Sequence, residues 1–342
     1  MTNLNNALVA QAGLRTWYAD HARNLPWRLK PTLYGTWLSE ILLQQTQVET
    51  GLPKWHLFME RFPTAGHLAR ASESEVLKAW EGLGYYRRAT LLHKASRIIE
   101  DAGEFPMSYE AWLKLPGVGP YTAAAIASIG LGEAVAAVDG NVQRVVSRWA
   151  GIADPVDGKT GAQAVQTVAD AWLDHDAPGN HNQAVMELGA LVCKPRKPLC
   201  TLCPISTHCA SANNPDMWGV LPAKKLKKKV QRWELTWHIA RFENDIVAIQ
   251  RPESGVWANM WAFPETCPPS HFIPLGALMK PITHLLTHRR IEAIFQGWNA
   301  PNKAALEAYA KEVAGEVVTW NALKTRAMPR LITKVFDALH GE

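Results

Sequence analysis

The chain has 342 residues, 47% hydrophobic and 20% charged, with a formal net charge of +5. That length points to two domains, because one hydrophobic core stops growing at roughly 250–300 residues, and the composition excludes a disordered or collagen-like chain. No run of about 18 apolar residues is present to span a bilayer, and the N-terminal stretch lacks the basic start and apolar block of a signal peptide. A soluble, cytoplasmic monomer with no membrane partner is therefore expected. The charge is local: residues 1–215 hold 19 basic and 19 acidic side chains, residues 216–342 hold 17 and 12. Lys224, Lys225, Lys227, Lys228 and Lys229 equal the whole surplus, so bulk charge says nothing about the folded parts.

The first two-thirds read as successive helices. Gly35 to Val48 places Trp37, Leu38, Ile41, Leu42 and Thr46 at helical spacing. Ser72-Glu73-Ser74-Glu75 is a capping box that opens a helix carrying Val76, Leu77 and Trp80, and Gly82 and Gly84 end it. Further helices are predicted over Tyr85 to Gly103, Thr160 to His175 and His181 to Val192, giving an all-α domain over residues 1–209. Residues 210–232 read as a Lys-rich linker. Beyond it, Trp233 to Phe242, Asp245 to Gln250 and Ile291 to Trp298 have strand composition, and 302–313 and 329–340 are helical, so residues 233–342 form an α+β domain.

Four of the five cysteines fall in Cys193-x6-Cys200-x2-Cys203-x5-Cys209. With no secretory signal, disulfides are disfavoured. Four soft thiolates so close together suit a metal centre, either zinc or iron–sulfur. Only Cys200 and Cys203 form the close pair usual for structural zinc, His208 is a possible substitute ligand, and one tetrad of thiolates suits a single cubane cluster. The spacing resembles the 4Fe-4S loop of the helix-hairpin-helix DNA glycosylases, which implies one 4Fe-4S cluster held in a loop at 193–209. Cys267 stands alone and reads as a small core residue.

Leu115-Pro116-Gly117-Val118-Gly119-Pro120-Tyr121 joins two helical segments through a tight turn. Its backbone amides, at Gly117, Val118 and Gly119, would meet a phosphate at the next helix start. Val138-Asp139-Gly140-Asn141 follows, with Asp139 placed to N-cap a helix. LPGVGPYTA followed by VDGNV resembles the helix-hairpin-helix–Gly/Pro–Asp motif of base-excision glycosylases. The resemblance implies that Asp139 is the carboxylate beside an oxocarbenium-like sugar, with Asn141 helping to orient it. It also places Tyr121 where endonuclease III-type glycosylase/lyases carry a lysine. A tyrosine cannot form their imine, so hydrolysis without strand cleavage is implied.

Leu25-Pro26-Trp27-Arg28, with Trp37 to Gln47, resembles the signature of the adenine DNA glycosylases. Glu40, among apolar neighbours on a predicted helix, is suited to remain protonated by burial and to act as general acid. By the same resemblance Arg23, Trp27 and Arg28 line an adenine pocket. Gln45, Thr46, Leu83 and Tyr85 take wedge and DNA-contacting positions, and the partner is double-stranded DNA with A:8-oxoguanine or A:G mispairs. The second domain resembles this family's Nudix-like lesion-recognition module, although no Nudix box is present. Its patches are Gln250 to Trp257 and His284-Leu285-Leu286-Thr287-His288, where Leu286 and Thr287 stand for the usual Phe and Ser. Thr287 keeps the hydroxyl that reads 8-oxoguanine. The runner-up is an endonuclease III-like pyrimidine glycosylase/lyase, which Tyr121 and the second domain oppose.

Overall fold

The computed structural model describes residues 4–212, 214–225, 230–286 and 289–340. They separate into two compact units, one of Met1–Ala69 with Lys94–Leu226, the other of Arg70–His93 with Lys227–Glu342. No described helix is long and apolar enough to cross a membrane.

The first unit is helical, and its helix ends are marked by local chemistry. Thr32 caps the helix Leu33–Leu42 by accepting the Gly35 amide, and Asp139 caps Gly140–Ala150 by accepting that of Val142. The latter helix stops at Gly151, whose φ of 68° is left-handed. Among the apolar centres that hold the described part of the unit, two are built on tryptophan. Trp37 and Trp112 are both fully buried, with ring centroids 5.8 Å apart. Val142, Val145, Val146, Trp149, Trp172 and Leu188 form the other, where Trp149 and Trp172 stack at 4.8 Å.

The helix expected over Gly35 to Val48 is instead two, Leu33–Leu42 and Val48–Arg61. Between them Gln45 adopts φ 57°, which an α-helix cannot contain. The helix expected from Tyr85 begins at Arg87, because Tyr85 has φ 48°. Within the stretch read as a linker, Pro215–Val220 is a helix and Leu221 is buried. Lys227, Lys228 and Lys229 lie outside the described residues.

The second unit is built on a mixed sheet: β1 (Gln231–Phe242), β2 (Asp245–Gln250), β3 (Trp261–Ala262), β4 (Ile273–Ala277), β5 (Ile282–Leu285), β6 (Arg289–Asn299) and β7 (Glu316–Thr319). The order is β3-β2-β1-β6-β4, with β5 also on β6 and β7 on β2. β1 and β6 run parallel from Gln231↔Arg289 to Arg241↔Asn299, and the other pairs are antiparallel. Strand alternation sorts the two faces. Leu235, Trp237 and Ile239, with Ile291, Ala293 and Phe295, pack on Leu331, Ile332 and Val335 of the helix Arg330–His340. Ala240 and Val247 face Leu306 and Tyr309 of the helix Lys303–Glu312. The result is an α+β unit with helices on both faces of the sheet.

Candidate active site

A cavity of about 740 Å³ opens in the first unit. It draws lining residues from the helix Leu33–Leu42, the turn after it, the helix starts at Tyr121 and Asp139, and the helix Pro178–Leu191. Glu40, Tyr121, Asp139, Asn141, Arg23, Trp27, Arg28, Gln45 and Thr46 all line it. A volume of this size lies within the few hundred to a thousand Å³ typical of ligand sites.

Glu40 projects from a helix whose other residues Tyr34 to Ser39, Ile41 and Leu42 are buried. Its Oε2 accepts the Tyr121 hydroxyl at 2.6 Å, and that hydroxyl lies 3.4 Å from Met186 Sδ. Burial raises the Glu40 carboxyl to about 7; the Tyr121 hydrogen bond opposes the rise and the Asp139 charge adds to it. A carboxyl so poised holds a proton near neutrality and can deliver it to a base. Tyr121 is pushed well above its ordinary range by burial and by the two carboxylates, so it stays a neutral donor.

Asp139 is held from two sides. Oδ1 accepts the Val142 amide at 2.7 Å, and Oδ2 accepts Asn141 Nδ2 at 2.8 Å. Burial raises its carboxyl, while these donors and the Arg144 charge favour the ionised form and limit the rise. Asn141 Oδ1 in turn accepts Arg144 Nη2 at 2.9 Å, and Arg144 Nε donates to the Cys193 carbonyl at 2.6 Å. One guanidinium thus spans from the aspartate's neighbour to the first cysteine.

Arg23 and Arg28 reach the cavity wall through Glu187. Arg23 Nε and Nη2 meet the two Glu187 oxygens at 2.7 and 2.8 Å, and Arg28 Nη2 adds a bond at 3.1 Å. Glu187 is 1% exposed. Burial opposes its charged form, but the two guanidinium groups together outweigh that and hold the carboxyl down at about 2. A fixed anion between two cations makes a rigid wall. Trp27 is buried against Trp55 at 5.6 Å.

Cys193, Cys200, Cys203 and Cys209, none of them in a disulfide, line one small cavity, whereas Cys267 is exposed and not the small core residue expected. No carboxylate or imidazole shares that lining, and His208 is not part of it. Burial raises the thiols of Cys200, Cys203 and Cys209, Cys203 to about 12, and charge on neighbouring cysteines adds to each rise. Four sulfurs with no nitrogen or oxygen donor among them are the donor set of an iron–sulfur cubane rather than of a mixed-donor zinc site, although among the described residues no three such side chains stand close enough together to hold a metal ion. Arg148, 2% exposed, holds the loop. Its guanidinium donates to the carbonyls of Lys194, Pro195, Trp218 and Leu221 and lies 3.5 Å from Cys193 Sγ.

Comparison with known proteins places this geometry. The model of the HhH-GPD superfamily of base excision DNA repair proteins matches residues 38–169, and that of the NUDIX domain matches residues 236–338. The adenine DNA glycosylase of Homo sapiens is 30% identical over an alignment covering 97% of this chain and 74% of that protein. The chain belongs to the adenine DNA glycosylase family. The adenine DNA glycosylase of Buchnera aphidicola subsp. Schizaphis graminum is 35% identical over 72% of each chain. A solved structure of a thermostable thymine-DNA glycosylase superposes with TM-score 0.55 at 26% identity, covering 61% of this chain and 97% of that one.

Other expected residues of this family member fall outside the cavity. Gly117, with φ 79°, and Gly119 form the hairpin turn; Gly119 faces open space, whereas the Val118 side chain is buried. Leu83 and Tyr85 lie in the segment that clusters with the second unit. There, the two patches noted in the sequence meet: the Trp257 ring is 6.0 Å from that of His284, with Trp233 and Trp237 at 6.5 and 5.8 Å. Thr287 lies outside the described residues. Glu187, Arg144 and Arg148 were not anticipated. Their only signal is a charge set among apolar helix positions.

Proposed function

We propose that this enzyme hydrolyses the N-glycosidic bond of adenine mispaired with 8-oxoguanine, or with guanine, in double-stranded DNA. The observation that carries the reading is a carboxyl protonated up to about 7, Glu40, in one cavity with a second carboxyl, Asp139, held by two N–H donors. A purine leaves readily once its N7 is protonated, and the sugar left behind is a cation. Two carboxyls in opposite protonation states suit those two needs.

The flipped adenine enters the cavity at a cost of a few kcal/mol of unstacking. Glu40 transfers its proton to N7, and the C1′–N9 bond pair leaves with the base. Asp139 steadies the positive sugar, and water adds at C1′ to give the abasic site, its released proton restoring the Glu40 carboxyl. Asn141 and Arg144 fix the Asp139 carboxylate; Arg23, Arg28 and Glu187 shape the wall; Trp27 sits in it. Tyr121 holds Glu40 in place and supplies no amine, which supports hydrolysis over lyase chemistry. Gln45 and Thr46 reach the cavity mouth and Leu83 and Tyr85 act as wedge. Gly117, Val118 and Gly119 offer the hairpin amides, and Thr287 reads the lesion.

Cys193, Cys200, Cys203 and Cys209 would hold one 4Fe-4S cluster. When bound, the cluster supplies a rigid four-point crosslink of the 193–209 loop. The deciding experiment measures adenine release from an A:8-oxoguanine duplex by wild type, Glu40→Gln and Asp139→Asn. Loss in both variants with duplex binding retained is the expected result. Wild-type release by both would sink the mechanism. A borohydride-trapped imine on the wild type would instead point to lyase chemistry.

A further inference from the structure

The segment Arg70–His93 clusters with the C-terminal unit although it is distant in sequence. Hydrogen bonds within that unit help to hold it. Glu73 Oε1 accepts Asn259 Nδ2 at 3.1 Å, Lys78 Nζ donates to the Lys324 carbonyl at 2.8 Å, and the buried Tyr86 hydroxyl donates to the Met328 carbonyl at 3.3 Å. Between Lys78 and Tyr86 the chain makes the turn Gly82-Leu83-Gly84-Tyr85.

That turn is costly in backbone terms. Gly82, Gly84 and Tyr85 have φ of 94°, 68° and 48°, and only the glycines adopt such values freely. Tyr85 is nonetheless 52% exposed, so core burial does not hold its ring in place. A strained residue presenting an exposed aromatic ring needs a local clamp.

Arg88 is placed to be that clamp. Its guanidinium carbon lies 5.0 Å from the Trp80 ring centre and 5.8 Å from that of Tyr85. Its Nη2 reaches the Leu83 and Gly84 carbonyls at 3.5 and 3.4 Å. Trp80 completes the arrangement, its Nε1 donating to the Gly84 carbonyl at 2.9 Å. A planar cation between two rings, with forked donors over two carbonyls, is a geometry that lysine cannot reproduce.

We propose that Arg88 is the positioning residue of the Gly82–Tyr85 turn, and that the turn is anchored to the C-terminal unit through Glu73 and Asn259. The wedge that enters DNA is then set from the lesion-reading unit, and its placement depends on that unit being folded. This rests on the reading of Tyr85 as a wedge, which the experiment tests separately.

The full-length chain is mixed with an A:G duplex carrying 2-aminopurine beside the guanine, a base dark when stacked and bright when unstacked. Tyr85→Ala, Arg88→Ala, Arg88→Lys and Asn259→Gly are compared with wild type at saturating protein, with melting temperatures taken in parallel. Tyr85→Ala is expected to abolish most of the fluorescence rise. Arg88→Ala is expected to weaken duplex affinity about tenfold through loss of a positive charge, and to cut the rise at saturation through loss of the clamp on Tyr85. Arg88→Lys, with its charge kept, is expected to recover the affinity but not the rise, which a role in folding alone would restore. Asn259→Gly, whose φ of 59° suits glycine, is expected to lower the rise as well. A wild-type rise in Arg88→Lys or in Asn259→Gly, alongside its loss in Tyr85→Ala, overturns the proposal. A wild-type rise in Tyr85→Ala overturns the wedge reading instead.

Discussion

Tyr121 donates its hydroxyl hydrogen to Oε2 of Glu40 across 2.6 Å. Because the bond is made to the carboxylate oxygen, it favours the ionised form and works against the burial that keeps Glu40 protonated. Removing the hydroxyl therefore raises the Glu40 pKa further. Tyr121→Phe should shift the alkaline limb of the pH–rate profile upward by about one unit, since a hydrogen bond to a charged group contributes roughly 1.5–3 kcal/mol. Single-turnover adenine release between pH 6 and 9 checks this. Glu40→Gln, which has no proton to give, should lose about 10²–10⁴-fold below pH 7, and the gap should narrow above pH 7 as wild-type Glu40 itself deprotonates.

The wild-type profile should be a bell. Glu40 must be protonated and titrates at about 7, so activity falls above that pH. Asp139 must be ionised, and burial raises its carboxyl, so activity falls on the acid side at a higher pH than for an ordinary aspartate. Stability carries the same information with its own sign. A carboxyl raised in the folded state disfavours folding progressively from its unfolded pKa up to about 7. Glu40→Gln should therefore melt higher than wild type at pH 8 and close to it at pH 4, with a gap of at most about 3 kcal/mol. Equal melting at pH 8 would contradict burial as the cause of the shift.

Glu187 makes the opposite prediction. Its carboxyl is held at about 2 by Arg23 and Arg28, so its stabilisation is present above the unfolded pKa near 4.5 and is lost as pH falls toward 2. Glu187→Gln leaves two guanidinium groups facing a neutral amide, and breaking a buried ion pair from one side costs about 3–5 kcal/mol. Melting should drop sharply at pH 7, and the difference from wild type should shrink at pH 2–3. The KM for mispaired duplex should rise too, because Arg23 and Arg28 lose the anion that orients them.

How much of this was legible in the sequence depends on the range of the interaction. Asp139 as N-cap and the Ser72–Glu75 capping box are local, and the structure has both. The Glu187 cluster joins residues about 160 positions apart, and no local pattern marks it. The turn at Gln45 was missed because its apolar spacing continues through a residue whose φ is positive. The association of Arg70–His93 with the C-terminal unit rests on side-chain contacts such as Glu73 with Asn259, which periodicity does not encode.

Gly189 tests how tightly Asn141 must be held. A methyl group there would lie 2.6 Å from the Asn141 Cβ and 3.2 Å from its Cα and carbonyl carbon. Because backbone atoms are among those met, a side-chain rotation cannot relieve the clash, and Asn141 must move. Gly189→Ala should lower kcat by about a hundredfold, as a misplacement near 1 Å does. Duplex affinity should change far less. An unaltered kcat would mean that the Asn141 bond to Asp139 is dispensable.

Arg148 gives the last prediction. Its guanidinium serves four backbone carbonyls, two in the cysteine loop and two in the segment 218–221, from a position 2% exposed. Lysine offers one nitrogen in place of three and cannot span carbonyls on both segments. Arg148→Lys takes the donor from at least two of these carbonyls, of which that of Leu221 is buried and the others part-buried, at up to about 1–3 kcal/mol for the buried one, so melting should fall by several degrees. Because those carbonyls belong to Lys194 and Pro195, directly after Cys193, the loop should close less firmly around its four sulfurs. Iron per chain and the visible absorbance of the purified variant should fall together with the melting temperature. Full iron content with lowered melting would separate the loop's packing from its ligation and place Arg148 in the first role alone.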